Sequence, residues 1–185
     1  QDFVPETALI YSGIRKINQN GQYLGLKNPE KKGSIYFDLL RNNWIGSTST
    51  ALVRATALAH VGGFDTTLRS RQDLDLWLRL AKEFKIDFVN EPLVIYRIHT
   101  DRISSNVDSR IQGYKTILSK YFPDIKLHPT IHGEYLYQIG FFYRRKGELS
   151  TACEFFKKSL VLKLSAKTLY YYTETRLQML RDRIK

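Results

Sequence analysis

Residues 58–80 constrain the fold more tightly than any other stretch. A turn, Val61-Gly62-Gly63-Phe64-Asp65, and a basic loop, Arg69-Ser70-Arg71, lead into Gln72-Asp73-Leu74-Asp75-Leu76-Trp77-Leu78-Arg79-Leu80. Two adjacent glycines allow positive φ or close backbone approach. Acids at a helix start are favoured by its unpaired N–H groups and its dipole. Leu74, Trp77, Leu78 and Ala81 fall at i, i+3, i+4 and i+7, and Leu76 and Leu80 add a second apolar flank. The pattern predicts a helix surrounded by core rather than one lying on a surface. Asp73 then sits where a core helix reaches solvent, and Asp75 is a first-turn acid with an i,i+4 partner in Arg79.

The chain has 185 residues, enough for one ordinary domain, or a domain and a small appendage, with a real core. With 43% hydrophobic and 25% charged residues it reads as globular. No apolar run approaches the ~18 residues of a membrane span, and no charged, apolar and cleavage-site pattern at Gln1 suggests a signal peptide. Cys153, the single cysteine, falls in an apolar helical pattern, so a buried inert thiol in a reducing, cytoplasmic setting is expected. Gln1 opens the chain and Met179 is the only methionine, from which a fragment or processed product is expected. The net charge of +11 is spread along the whole length. It is read as solvated basic faces, with attraction to phosphate or a lipid surface as the alternative and no nucleic-acid partner, because no nucleic-acid motif is present.

Residues 8–17 favour a strand, Asn18 to Gly21 a turn, and residues 22–26 a hairpin return. Ile35, Phe37 to Leu40 and Asn42-Asn43 give a short helix that ends in residues tolerant of the left-handed region. A central strand at 48–54 runs into a helix at 55–60. His60 has no metal-ligand partner at suitable spacing, and Pro129 between His128 and His132 argues against a metal pair. After the Asp73 helix, residues 85–89 read as an edge strand, Asn90-Glu91-Pro92 as a turn, and Leu93 to His99 as a second strand. Period-two geometry puts Arg97 and His99 on one face. Residues 100–105 are taken as a boundary, followed by a helix capped by Ser104 or Ser105 and stopped by Pro123.

Gly62-Gly63-Phe64-Asp65, Gln72-Asp73, Asp75-Leu76-Trp77-Leu78-Arg79 and Tyr96-Arg97-Ile98-His99 occur in one order. In that order they resemble the acceptor-side half of family 2 glycosyltransferases with the GT-A fold. The resemblance covers roughly residues 6–105; Gln72 stands where the family usually has Glu. It implies that Asp73 is the general base of an inverting transfer from a nucleotide-sugar to an acceptor hydroxyl. It further implies that Gln72, Asp75 and Arg97 are substrate-binding candidates, and that His99 contacts the donor diphosphate or its metal. A divalent cation, Mg or Mn, is expected for the full-length enzyme and none in this fragment. The fragment alone, lacking an upstream Asp-x-Asp half, is expected to be inactive.

Residues 133–166 resemble one tetratricopeptide repeat, with Leu136, Ile139-Gly140, Tyr143, Gly147, Ala152, Phe156 and Ser159 at its marker positions. The expected architecture is therefore α/β, or α+β as an isolated fragment. Residues 1–104 form a partial GT-A sheet with helices, and residues 105–185 an all-α helical tail with the repeat. Such a repeat needs neighbours to cover its faces, so a protein partner on the tail, self-association and a peripheral membrane contact stay open. An inactive binding module that recruits a partner through the tail is the alternative to an enzyme.

Overall fold

The computed structural model describes residues 6–98 and 106–184. The chain divides into two compact units, residues 1–67 with 72–102 and residues 68–71 with 103–185.

The first unit is mixed α/β. Its strands are β1 (Thr7–Ile17), β2 (Tyr23–Lys27), β3 (Ala51–Val53) and β4 (Lys85–Arg97), and its helices are α1 (Tyr36–Arg41), α2 (Ala55–Val61) and α3 (Gln72–Glu83). β1 is the centre of the sheet: β3 and β2 pair antiparallel with successive halves of one edge, and β4 pairs parallel along the other. The expected hairpin forms, with Asn18 Oδ1 accepting the N–H groups of Asn20 and Gln22. Its turn is an Asx type that a short polar side chain supports.

Two expectations for this sheet are corrected. Residues 85–97 are one strand, not two strands joined by a reversal. The register on β1 jumps from Ser12↔Val89 to Ile14↔Val94, so Asn90 to Leu93 bulge outward while both halves keep the same partner. Pro92, which has no N–H to donate, falls in that bulge. Gly13 faces it, and a Cβ there would come 3.0 Å from the Lys27 carbonyl oxygen and 3.2 Å from that of Glu91. The strand expected at 48–54 is only three residues long. Before it, Thr48–Thr50 form a turn of 3-10 helix in which Ser47 Oγ accepts from the Ser49 N–H and Thr50 Oγ1 donates to the Ser47 carbonyl. Hydroxyl-to-backbone bonds of this kind compete with the ladder.

α3 is the buried helix that its spacing predicts, with Leu74, Leu76, Trp77, Leu78, Leu80 and Ala81 inside. Gly62 and Gly63, at φ +83° and +70°, end α2 and turn the chain. α1 ends at Asn42 in an extended conformation.

The second unit is helical: α4 (Val107–Lys120), α5 (Phe122–Ile125), α6 (Pro129–Lys146), α7 (Leu149–Leu162) and α8 (Ala166–Ile184). The cap of α4 is Asn106, whose side chain accepts the Ser109 N–H at 3.0 Å; Ser104 and Ser105 lie outside the described residues. Pro123 opens α5 rather than only stopping α4, because proline is tolerated in a first turn, where its missing N–H would have no partner. The loop Leu68–Arg71 belongs to this unit. Ser70 Oγ donates to the Ser109 carbonyl at 2.7 Å, and the Arg71 guanidinium sits 3.5 Å over the Tyr114 ring. Arg71 has φ +63°, a conformation that costs a non-glycine residue energy and is held here by the ring contact. Cys153 is buried beside Met179, and burial pushes its thiol pKa up, as an inert thiol requires. Among the described residues no helix is long and apolar enough to cross a membrane.

α6 and α7 pack closely where the sequence is small. A Cβ on Gly140 would lie 3.0 Å from the Phe156 ring and 3.1 Å from the Ala152 carbonyl oxygen, and Ser159 Oγ donates to the Gly133 carbonyl at 2.7 Å. Gly140→Val is expected to destabilise this unit by about 1–3 kcal/mol through overpacking, read as a lower urea midpoint of the helical circular dichroism signal.

His132, half-buried edge-on against Phe122, has its pKa lowered by burial from the ordinary 6.5. The unfolded chain then binds the proton more readily than the folded one. The contribution is intact above pH 6.5 and is lost as pH falls through the folded value. His132→Gln is expected to flatten the dependence of melting temperature on pH below that point.

Candidate functional site

Asp73 is the second residue of α3 and is partly buried. Its Oδ1 accepts the Leu74 N–H at 2.8 Å, and its Oδ2 accepts the Asn43 side-chain amide at 3.0 Å. An ionised carboxylate offers about four acceptor positions, so two bonds, one on each oxygen, orient it without filling it. The group is suited to taking a proton from a hydroxyl that approaches the remaining positions.

Asn43 belongs to the loop that follows α1. Its Nδ2 also donates to the Gly46 carbonyl at 3.2 Å, and its Oδ1 accepts the Gly46 N–H at 2.9 Å. Gly46, at φ +92°, closes that turn. Lys27 of β2 holds the loop from below, its ammonium donating to the carbonyls of Asn43 at 3.4 Å and Trp44 at 3.1 Å. Burial first, and then the positive charge of Lys16, lower the Lys27 pKa. In the sequence, Asn43 marks only a helix end. The available signal was the glycine three residues on, a turn cue that says nothing about a carboxylate thirty positions away.

Gln72 is half-buried at the first position of α3. Asp75, carried from the sequence as a substrate contact, has no exposed surface. It receives Arg79 Nε at 2.9 Å, and the same guanidinium donates to the carbonyls of Val61 and Gly63. Asp75 fixes the arginine that ties α3 to the double-glycine turn. Arg97 is exposed at the end of β4 and donates to the Gln19 carbonyl in the hairpin turn at 2.9 Å. Among the described contacts no residue links it to Asp73. His99 lies outside the described residues. His60 pairs with Glu83 at 2.6 Å on an exposed surface. Among the described residues no group of three His, Cys, Asp or Glu side chains is placed to hold a metal ion.

No family model matches the chain. It is similar to an uncharacterized glycosyltransferase of Rickettsia typhi, 22% identical over 155 residues covering 77% of this chain and 48% of the relative. A second uncharacterized glycosyltransferase, from Rickettsia prowazekii, is 23% identical over the same extent. The chain spans about half the length of these curated relatives.

Proposed function

We propose that this chain is the acceptor-side part of an inverting, family 2-like glycosyltransferase of the GT-A fold, with Asp73 as its general base. The observation that carries the reading is the Asp73 carboxylate. It is held at both oxygens, one by its own helix and one by Asn43, yet it stays partly open to solvent at the start of a buried helix. An acceptor hydroxyl gives its proton to Asp73 as its oxygen bonds to the anomeric carbon of a nucleotide-sugar. The bond from that carbon to the diphosphate oxygen breaks, and the nucleoside diphosphate leaves with the electron pair. The charge of the leaving diphosphate suits Arg97 and His99 as contacts. The Mg or Mn expected for the full-length enzyme has no built ligand set among the described residues, and no step assigned to this chain runs through it.

The α6–α7 hairpin supports the reading of one tetratricopeptide-like repeat. Of the marker residues, Gly140 lies against Ala152 and Phe156 where the two helices pack, Ser159 donates to the Gly133 carbonyl, and Gly147 ends α6 in the left-handed conformation. A protein partner on this helical unit and a cytoplasmic setting are part of the proposal. Gln72, an amide where the resemblance calls for a carboxylate, favours one second reading, an inactive module that recruits a partner.

Release of nucleoside diphosphate from a panel of UDP-, GDP- and dTDP-sugars tests the choice. Turnover by the full-length protein and none by this chain alone is the expected result. Turnover by this chain alone would overturn the proposal that it is only part of the enzyme. No release by the full-length protein with any donor would favour the binding module.

A further inference from the structure

We propose that Asn43 is a positioning residue for Asp73, setting the rotation of its carboxylate for the acceptor hydroxyl; the inference rests on the reading of Asp73 as the base. A helix start can satisfy its own carboxylate locally, and Asp73 does so at Oδ1 with the Leu74 N–H. One bond leaves a carboxylate free to swing about it. The second bond comes from thirty residues away, and it fixes the plane of the group.

The donor of that bond is itself immobilised. The Asn43 amide makes three bonds, two to Gly46 and one to Asp73, so rotating it toward solvent would break all three. Beneath it the Lys27 ammonium bonds the carbonyls of Asn43 and Trp44. The path therefore runs from strand β2 through Lys27 and the Asn43–Gly46 turn to the carboxylate. Support of a reacting group by a rigid element and a second layer of hydrogen bonds is how an active site keeps its geometry, and a misplacement of about 1 Å can cost ~10²-fold in rate.

The test is a mutant cycle in the full-length protein, with kcat and KM measured for whichever sugar nucleotide it turns over. Asn43→Ala is expected to lower kcat about 10–100-fold with the donor KM nearly unchanged. Asn43→Asp, which keeps the shape but sets a second carboxylate against Asp73, should lower kcat further. In an Asp73→Ala background, Asn43→Ala should cost nothing more, because the group it orients is gone. A further tenfold loss in that background would mean that Asn43 acts elsewhere, and would overturn the inference while leaving Asp73 as the base. A wild-type rate for Asp73→Ala alone would instead remove the base itself. In the 185-residue chain, the Asn43 side-chain amide resonances should move on Asp73→Ala; unmoved resonances would show that the bond is absent and overturn the inference without any activity measurement.

Discussion

Asp73→Asn lowers the transfer rate of the full-length protein about 10²–10⁴-fold at saturating donor, with the fold unchanged. The substitution keeps the volume of the side chain and a carbonyl oxygen able to accept the Leu74 N–H, but removes the proton acceptor and the bond from the Asn43 amide. Loss of a helix-start carboxylate costs only about 1 kcal/mol of stability. The rate change corresponds to roughly 2.7–5.4 kcal/mol at 1.36 kcal/mol per tenfold. The two effects therefore separate. Steady-state kinetics should show the loss in kcat, and a melting curve should show a shift of a few degrees or less. A purely structural Asp73 would give the opposite pattern, a softer fold and an ordinary rate.

Arg79→Ala destabilises the first unit by about 3–5 kcal/mol. Asp75 is fully buried, and Arg79 is its ion-pair partner at 2.9 Å. Removing the guanidinium takes the ion-pair partner from a buried carboxylate and the donor from the Val61 and Gly63 carbonyls. A domain is stable by only ~5–15 kcal/mol in all, so the loss is a large share. Both tryptophans, Trp44 and Trp77, are in this unit, which makes urea unfolding followed by their fluorescence a direct readout. Asp75→Leu combined with Arg79→Met should recover most of the stability, because an apolar pair removes the buried charge together with its partner.

What could be read from the sequence was local. The α3 helix announces itself through apolar spacing within one segment, and the double glycine through the positive φ that both residues adopt. The Asp75–Arg79 pair follows from helical spacing, but its complete burial does not, since that depends on what packs around it. The division of β4 failed for a related reason. Asn90-Glu91-Pro92 carries the composition of a turn, and only the continuous partner β1, with Gly13 leaving room for the arch, decides that the chain bulges and runs on. Asn43 and Arg71 show the same limit at the candidate site and in the helical unit. Each makes its defining contact with a residue at least thirty positions away, Asp73 in one case and Tyr114 in the other. Composition and periodicity hold no information about such pairs.

Single displacement with Asp73 as the base on the acceptor side inverts the anomeric carbon. The most direct measurement is the anomeric configuration of the first-formed product of the full-length protein, read by proton NMR before mutarotation or hydrolysis. Configuration opposite to that of the donor, formed at a rate that collapses in Asp73→Asn, is the predicted result. Retained configuration, or inversion at an undiminished rate in the variant, would contradict it.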